Sequence, residues 1–424
     1  MTDASGPDAP AGALDGVRVV DLTTVLMGPL ACRMLGDHGA DVIRIESLAG
    51  DSTRNGLPAR TAGMSGFSLN IQRNKRSLAL DLKSPAGRDA MRRLLETADV
   101  FISNMRAAAL ARLGLDADTL RADHPQLIVC RANGFASNGP YGDKPAYDDA
   151  IQAASGLSNL IARINGEPGF VPAVIADKVT GLHIVEAVLA ALFHRERTGV
   201  AQAIEVPMFE TMVAFNLVEH YRGAVFEPPE GPFGYERLLT PYRRPYPTAD
   251  GWVCLLPYTD AQFRAFFEFA GQPELADDPR FADHNTRITN IDALYGILGE
   301  LSKRRTTAEW VAYCDEHSIP AAVVMDLAEL DTDPQLTAVG LVSLAEHPTE
   351  GSYRYVADPV VYSETPTRLR RHAPLLGEHA VEVLSELGYD AAEIDGLRDK
   401  GVIVVPGWRS RRASSRSELI EGNA

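Results

Sequence analysis

Asp177 stands near the start of the run PAVIADKVTGLHIVEAVLAALFHRERTG from Pro172 to Gly199, just ahead of a long apolar helix. Two chemistries suit a carboxylate in that place. It can cap the helix, a role worth about 1 kcal/mol. It can also be a nucleophile, because free amides and the helix dipole favour its charged form. Ala176 and Gly181 keep its surroundings small, which leaves room for a substrate. A second candidate is the basic knot Arg73, Lys75 and Arg76. It reads either as a solvated turn or as a phosphate clamp. Asn104, Met105 and Arg106 follow a short apolar run, with Arg112 nearby. They fall past the carboxyl end of an expected strand, where ligands collect in open α/β sheets. Tyr147, Asp148 and Asp149 open a further helix, and paired acids at such a position commonly cap it. The ten histidines form no HxxxH-type pair, so no metal centre is expected. His183 on the Asp177 helix reads as a packed or capping residue.

The elements that position these residues follow from hydrophobic period. Val174 and Ile175 read as the end of an extended segment. From Thr180, Leu182, Val185, Val188, Leu189 and Leu192 recur at helical spacing. Arg195, Arg197 and Gly199 then close the helix with a basic turn and a glycine stop. Leu14–Leu22, a helix through Cys32, Met34 and Leu35, and Val42–Ile45 make a strand–helix–strand unit with a parallel pair. Gly28-Pro29 opens that first helix, but no GxGxxG is present, so a dinucleotide fingerprint is absent. The basic knot is expected to precede an alternating strand that runs to Lys83. Further strands are expected at Val100–Ile102, Leu127–Ala132 and Gln202–Pro207, with a helix over Pro85–Ala98. Near Phe226 the chain turns proline-rich, which marks a linker. A smaller α+β segment follows from Trp252, with helices near 260–271, 291–302 and 307–317 and a strand at Ala321–Met325. Val356–Tyr362 is expected to be extended.

A chain of 424 residues allows two or three domains. The net charge of −16 argues against nucleic acid as a partner. The four cysteines are scattered without a CxxC pair, which points to reduced thiols in the cytoplasm. No apolar run reaches the ~18 residues of a spanning helix, so no membrane association is expected.

Three motifs carry a resemblance to a known family. LDGVRVVDLTTVLMGPLACRMLGDHGADVIRIE, NKRSLALDLKSPAGR and the stretch around Asp177 resemble the class III CoA-transferases, the CaiB/BaiF family. HAPLLGEHAVEVLSELGY, from His372 to Tyr389, is similar to that family's C-terminal signature. The likeness runs from about residue 14 to 405. It implies an α/β fold: a Rossmann-like large domain built from N- and C-terminal parts, a smaller α+β domain, and an interlocked homodimer. The expected segments are a flexible tail over 1–13, the first part of the large domain over 14–225, a linker and small domain over 226–330, a return over 331–405 and a polar tail over 406–424.

The resemblance also implies that Asp177 attacks an acyl-CoA thioester and that CoA passes to a carboxylic acid, with no cofactor beyond the CoA substrate itself. It places Leu26, Tyr147 and Asp148 beside the substrate. It places Leu69, Lys75, Arg76, Asn104, Met105, Arg112 and Leu113 around CoA. Leu26 stands where a formate- and oxalate-using relative has Gln. It cannot donate a hydrogen bond, which speaks against those substrates. Ser47 stands where that relative has Arg. Two alternatives are an α-methylacyl-CoA racemase and a non-catalytic acyl-CoA-binding protein. The racemase needs a His at Tyr147, whose phenol, with a reference pKa of about 10, is a poor base near neutrality. An Asp retained at position 177 argues against the binding protein. Arg237, Arg243 and Arg244 are candidates for pairing with a dicarboxylate, or for lining a linker.

Overall fold

The computed structural model describes residues 12–407. The expected tails therefore lie mostly outside the described residues. The chain divides into two units. The first comprises residues up to Ile151, Val174–Met212 and the stretch from Thr337 onward, and the second comprises Gln152–Ala173 and Val213–Leu336.

The first unit is built on six parallel strands: β1 (Arg18–Leu22), β2 (Asp41–Glu46), β3 (Lys75–Ala79), β4 (Val100–Ser103), β5 (Ile128–Asn133) and β6 (Ala203–Pro207). Their order is β3-β2-β1-β4-β5-β6. The order reverses between β1 and β4, which opens a crevice at the carboxyl ends of those two strands. Apart from Arg18 and Asp41 at the starts of β1 and β2, the residues of β1 to β4 are buried, as a sheet covered on both faces requires. The helices up to residue 220 are α1 (Met27–Asp37), α2 (Gly66–Ile71), α3 (Pro85–Leu95), α4 (Ala107–Leu113), α5 (Ala117–Asp123), α6 (Asp148–Ala154), α7 (Leu157–Asn165), α8 (Ile175–Thr198) and α9 (Met208–His220); α7 belongs to the second unit, and α6 and α9 run across the division. Ser84 caps α3 by accepting from the Gly87 N–H, with Pro85 next in line, an entry legible in the sequence.

In the second unit, α10 (Glu236–Leu239), α11 (Asp260–Phe269), α12 (His284–Thr289), α13 (Ile291–Leu301) and α14 (Thr307–Glu316) accompany a small sheet. Its strands are β7 (Tyr246–Pro247), β8 (Trp252–Leu255) and β9 (Ala321–Val323). Phe266, Phe267 and Trp310 fill its core. Residues 152–173 group here because Arg163 donates to the Phe233 carbonyl at 3.1 Å and the Asn216 amide donates to the Ser155 carbonyl at 3.1 Å.

After α15 (Pro334–Val339) comes the hairpin β10 (Val342–His347) and β11 (Gly351–Val356); it ends at Val356, and 357–362, where a strand was expected to continue, form none. The returning chain then completes the core of the first unit with α16 (Ala380–Glu386) and α17 (Ala391–Asp399). Ala380, Leu384, Leu397 and Ile403 pack with Val20, Ile43 and Leu78. Asn74 fastens this return. Its N–H donates to Arg371 O at 2.8 Å, and its amide oxygen accepts from the N–H groups of Arg370 at 2.7 Å and Arg371 at 2.9 Å. Its amide nitrogen donates to Arg368 O and Asp37 Oδ1, each at 2.7 Å. Asn74 sits at φ 58°, a left-handed conformation that Asn tolerates better than most residues.

Candidate active site

Asp177 lies in the first turn of α8, whose N-cap is Val174. It is therefore not the cap that one reading of the sequence made it. Val174 supplies no capping side chain. The Asp177 N–H donates instead to Asp148 Oδ1, at 3.0 Å, from the start of α6. Helix α8 also begins earlier than the expected Thr180. It buries Ala176, Thr180, Gly181, Ile184, Val185 and Val188 along one face, against α1. Gly181 allows that approach, since a Cβ there would lie 3.0 Å from Met27 O. Gly199, at φ 73°, ends the helix as expected.

The Asp177 carboxylate faces a cavity of about 320 Å³, lined also by Thr24, Val25, Met27, Asn133, Tyr147 and Met208. Among the described residues, no group donates a hydrogen bond to that carboxylate. Burial pushes its pKa up, the Asp148 charge adds to this, and it reaches about 6. The helix dipole was expected to favour the charged form; desolvation and a like charge outweigh it here.

A second cavity, of about 580 Å³, opens beside the first and shares Thr24 and Met105 with it. Its lining is mostly apolar, from Leu22, Ile45, Leu80, Leu82 and Leu113, with Lys83 and Arg112 as exposed cations. Between the cavities, Asn104 clamps the loop after β1. Its amide oxygen accepts the Thr24 N–H at 2.9 Å, and its amide nitrogen donates to Thr24 O at 2.9 Å. The clamp stands where the strand order reverses.

The same loop is strained. Val25 adopts φ 66°, a rare conformation for a β-branched residue. Its N–H donates to Asp51 Oδ2 at 3.0 Å, and Arg44 Nη2 holds that same oxygen at 2.9 Å. Arg44 belongs to a buried charge network under the site. It reaches Asp21 Oδ2 at 3.3 Å, and Glu46 is paired with Arg54 at 2.7 Å.

The structure gathers only some of the expected residues. Tyr147, 71% exposed, and Asp177 line the smaller cavity. Met105, Arg112 and Leu113 line the larger one. Asp148 is buried behind the wall and absent from the lining, so the expected substrate contact there becomes a backbone contact. Leu26 is buried at the start of α1. Its neighbours Val25 and Met27 face the cavity in its place. Leu69, half-buried in α2, lines neither cavity.

The basic knot is not a phosphate clamp. Arg73 pairs with Asp37 at 2.7 Å. Lys75 is fully buried and donates to Asp21 Oδ2 at 3.0 Å, Pro29 O at 2.8 Å and Gln72 Oε1 at 3.1 Å. Arg76 pairs with Asp41, Glu382 and Glu386. It lines a separate cavity of about 320 Å³ near the amino ends of β1 and β2. Lys75 and Arg76 begin β3 rather than follow it, and ligands gather at the other end. Lys83 and Lys144 escaped the sequence reading, though Lys83 lies just past the carboxyl end of β3, where the rule points. Arg106 lines the Asp177 cavity with Lys144. Among the described residues, Lys83, Arg106 and Arg112 form no ion pair. Arg237, Arg243 and Arg244 belong to the second unit, where Arg237 Nε donates to Tyr295 Oη at 2.9 Å.

The chain belongs to CoA-transferase family III, whose model matches residues 14–380. Enzymes of this family move CoA between acyl-CoA thioesters and carboxylic acids. Among similar proteins, a succinate–glutarate CoA-transferase of Agrobacterium fabrum is 34% identical over 91% of this chain and 98% of its own. A formyl-CoA:oxalate CoA-transferase of Streptomyces avermitilis is 32% identical over 92% of this chain and 99% of its own. A CaiB/BaiF family protein from Brucella suis has a solved structure that superposes with a TM-score of 0.75, at 31% identity over 89% of this chain and all of that one. The six-stranded parallel sheet and its helices agree with that neighbour. No helix among the described residues is long and apolar enough to cross a membrane.

Proposed function

We propose that this CoA-transferase works through Asp177 as a covalent nucleophile. The observation that carries the reading is an Asp177 carboxylate open to a cavity, unclaimed by any donor among the described residues, with its pKa raised to about 6. A carboxylate with raised basicity is a better nucleophile and still ionised at neutral pH. It attacks the thioester carbonyl, the C–S bond breaks, and CoA thiolate leaves a mixed anhydride. The thiolate then attacks Asp177 Cγ and releases the donor acid, leaving an aspartyl-CoA thioester. The acceptor carboxylate attacks the same Cγ and expels the thiolate, forming a second mixed anhydride; the thiolate then attacks the acceptor's carbonyl carbon, and the anhydride C–O bond breaks to release the new acyl-CoA and the Asp177 carboxylate. No proton is gained or lost, and the acyl energy survives as long as water is excluded.

In this reading the larger cavity holds the nucleotide end of CoA, with Lys83 and Arg112 toward its phosphates, and Arg106 and Lys144 serve the arm that leads to Asp177. A homodimer, interlocked as the family resemblance implies, is part of the proposal. Succinyl-CoA and glutarate head the substrate panel because a similar human enzyme carries those names.

The deciding experiment combines an acyl-CoA panel with hydroxylamine and peptide mass spectrometry. A donor-dependent hydroxamate at Asp177 is expected, and a Cα-deuterated acyl-CoA product without that adduct would overturn the reading. Two further outcomes follow. Arg112→Ala should raise the KM for acyl-CoA about tenfold with kcat nearly unchanged, the loss of one charge-assisted contact. The kcat profile should fall below a pH near 6, as Asp177 becomes protonated; a flat profile down to pH 5 would contradict it.

A further inference from the structure

We propose that Asp148 is the positioning residue of the nucleophile. From the first turn of α6, it fixes the first turn of α8 and sets the charge environment in which Asp177 meets the thioester. The inference rests on the nucleophilic reading of Asp177. Its geometry is a buried carboxylate whose Oδ1 accepts the Asp177 N–H at 3.0 Å, across 29 residues of chain. Helix α8 has no side-chain cap of its own. Several other helices of this chain carry one on the preceding residue, such as Ser84 for α3, Thr259 for α11 and Asp390 for α17. The orientation of Asp177 thus depends on a contact that the local sequence does not supply.

A cap alone does not require an acid. Asn or Ser would accept the same bond about as well. A buried carboxylate placed against a half-buried one is costly unless the repulsion is used. Here it has a use. Repulsion raises the free energy of ionised Asp177 and is relieved as its charge passes to the departing thiolate in the attack. The other charged or titratable groups around Asp177 are Arg106 after β4, Arg131 on β5, Asp143, Lys144 and Tyr147 before α6, and Lys178 on α8 itself. Arg131 is paired with Glu205 at 2.5 Å, and α1 brings no charge to its own first turn. Of these groups and Asp148, only Asp148 bonds to the Asp177 backbone, and burial keeps it from touching substrate.

The test separates the bond from the charge. Asp148→Asn keeps the acceptor and removes the charge. Its acid limb in kcat should move down by about one pH unit, and kcat at pH 8 should fall roughly tenfold. The melting temperature and the KM for acyl-CoA should hold. Asp148→Glu retains the charge and should return the limb toward wild type. Asp148→Ser, a smaller uncharged acceptor, serves if the Asn variant does not fold. An Asn or Ser variant with the wild-type limb and kcat would overturn the proposal, as would a Glu variant whose limb moves with that of Asn. The hydroxylamine trap is run on wild type in parallel. Absence of the Asp177 adduct there would remove the nucleophilic reading itself. An adduct in wild type with an unmoved limb in the variants would remove only the role of Asp148.

Discussion

Asp177→Asn should lower CoA transfer by at least about 10³-fold and remove every acyl-CoA-dependent hydroxamate. The substitution is nearly isosteric, so the cavity keeps its shape, but an amide oxygen is a poor nucleophile and cannot form the anhydride. The same variant should be more stable at neutral pH. Folding raises the pKa of Asp177 from 3.8 to about 6 through burial and the Asp148 charge. The unfolded chain therefore loses this proton at lower pH than the folded protein does. Stability declines as pH rises between the two values, by no more than about 3 kcal/mol, and the deficit stays in place above them. Asn mimics the protonated form and escapes it. Asp177→Asn should thus melt above wild type at pH 8 and alongside it below pH 4, which scanning calorimetry at the two pH values reads directly. Wild-type turnover in this variant would end the covalent mechanism.

Lys75→Met should act on stability rather than on binding. Lys75 is fully buried, and its three hydrogen bonds reach Asp21, Pro29 O and Gln72. Burial alone would raise the pKa of Asp21, yet Lys75 and Arg44 hold it down at about 2. Removing Lys75 leaves the buried Asp21 carboxylate with Arg44 as its one cation beside the Thr23 hydrogen bonds, a change that costs about 3–5 kcal/mol. The urea midpoint should fall accordingly, and the folded fraction should bind acyl-CoA with unchanged KM. A raised KM with an unchanged midpoint would restore the phosphate-clamp reading of the basic knot.

The contrast between these two residues shows what a sequence displays and what it hides. The strand–helix–strand start and the glycine stop at Gly199 were legible because their signals are local, whereas the local signals around Asp177 left cap and nucleophile both open. The function of Lys75 and Arg76 was not, because charge is visible in a sequence and its partner is not. Arg76 pairs with Glu386, 310 residues away. The start of α8 was misplaced for a related reason: Val174 and Ile175 are β-branched, and Asp148 supplies the capping acceptor from another helix. Residues 342–356 were missed as a hairpin because β10 and β11 alternate weakly and sit half-exposed. The cavities followed the strand-end rule, which located Met105 and Arg112 and, applied to β3, also locates Lys83.

The fastening of the returning chain by Asn74 has a consequence for biosynthesis. Asn74 and Arg371 lie 297 residues apart. At ~5–20 residues per second, the ribosome takes roughly 15–60 s to deliver the second after the first. Throughout that interval Arg76 lacks Glu382 and Glu386, and the apolar face that will receive Ala380, Leu384 and Leu397 stands open. The second unit has no such debt, since all its residues precede Thr337. Translation therefore releases a finished second unit before the first unit, which carries Asp177, can close, and the interval before closure is when nascent chains need protection from aggregation.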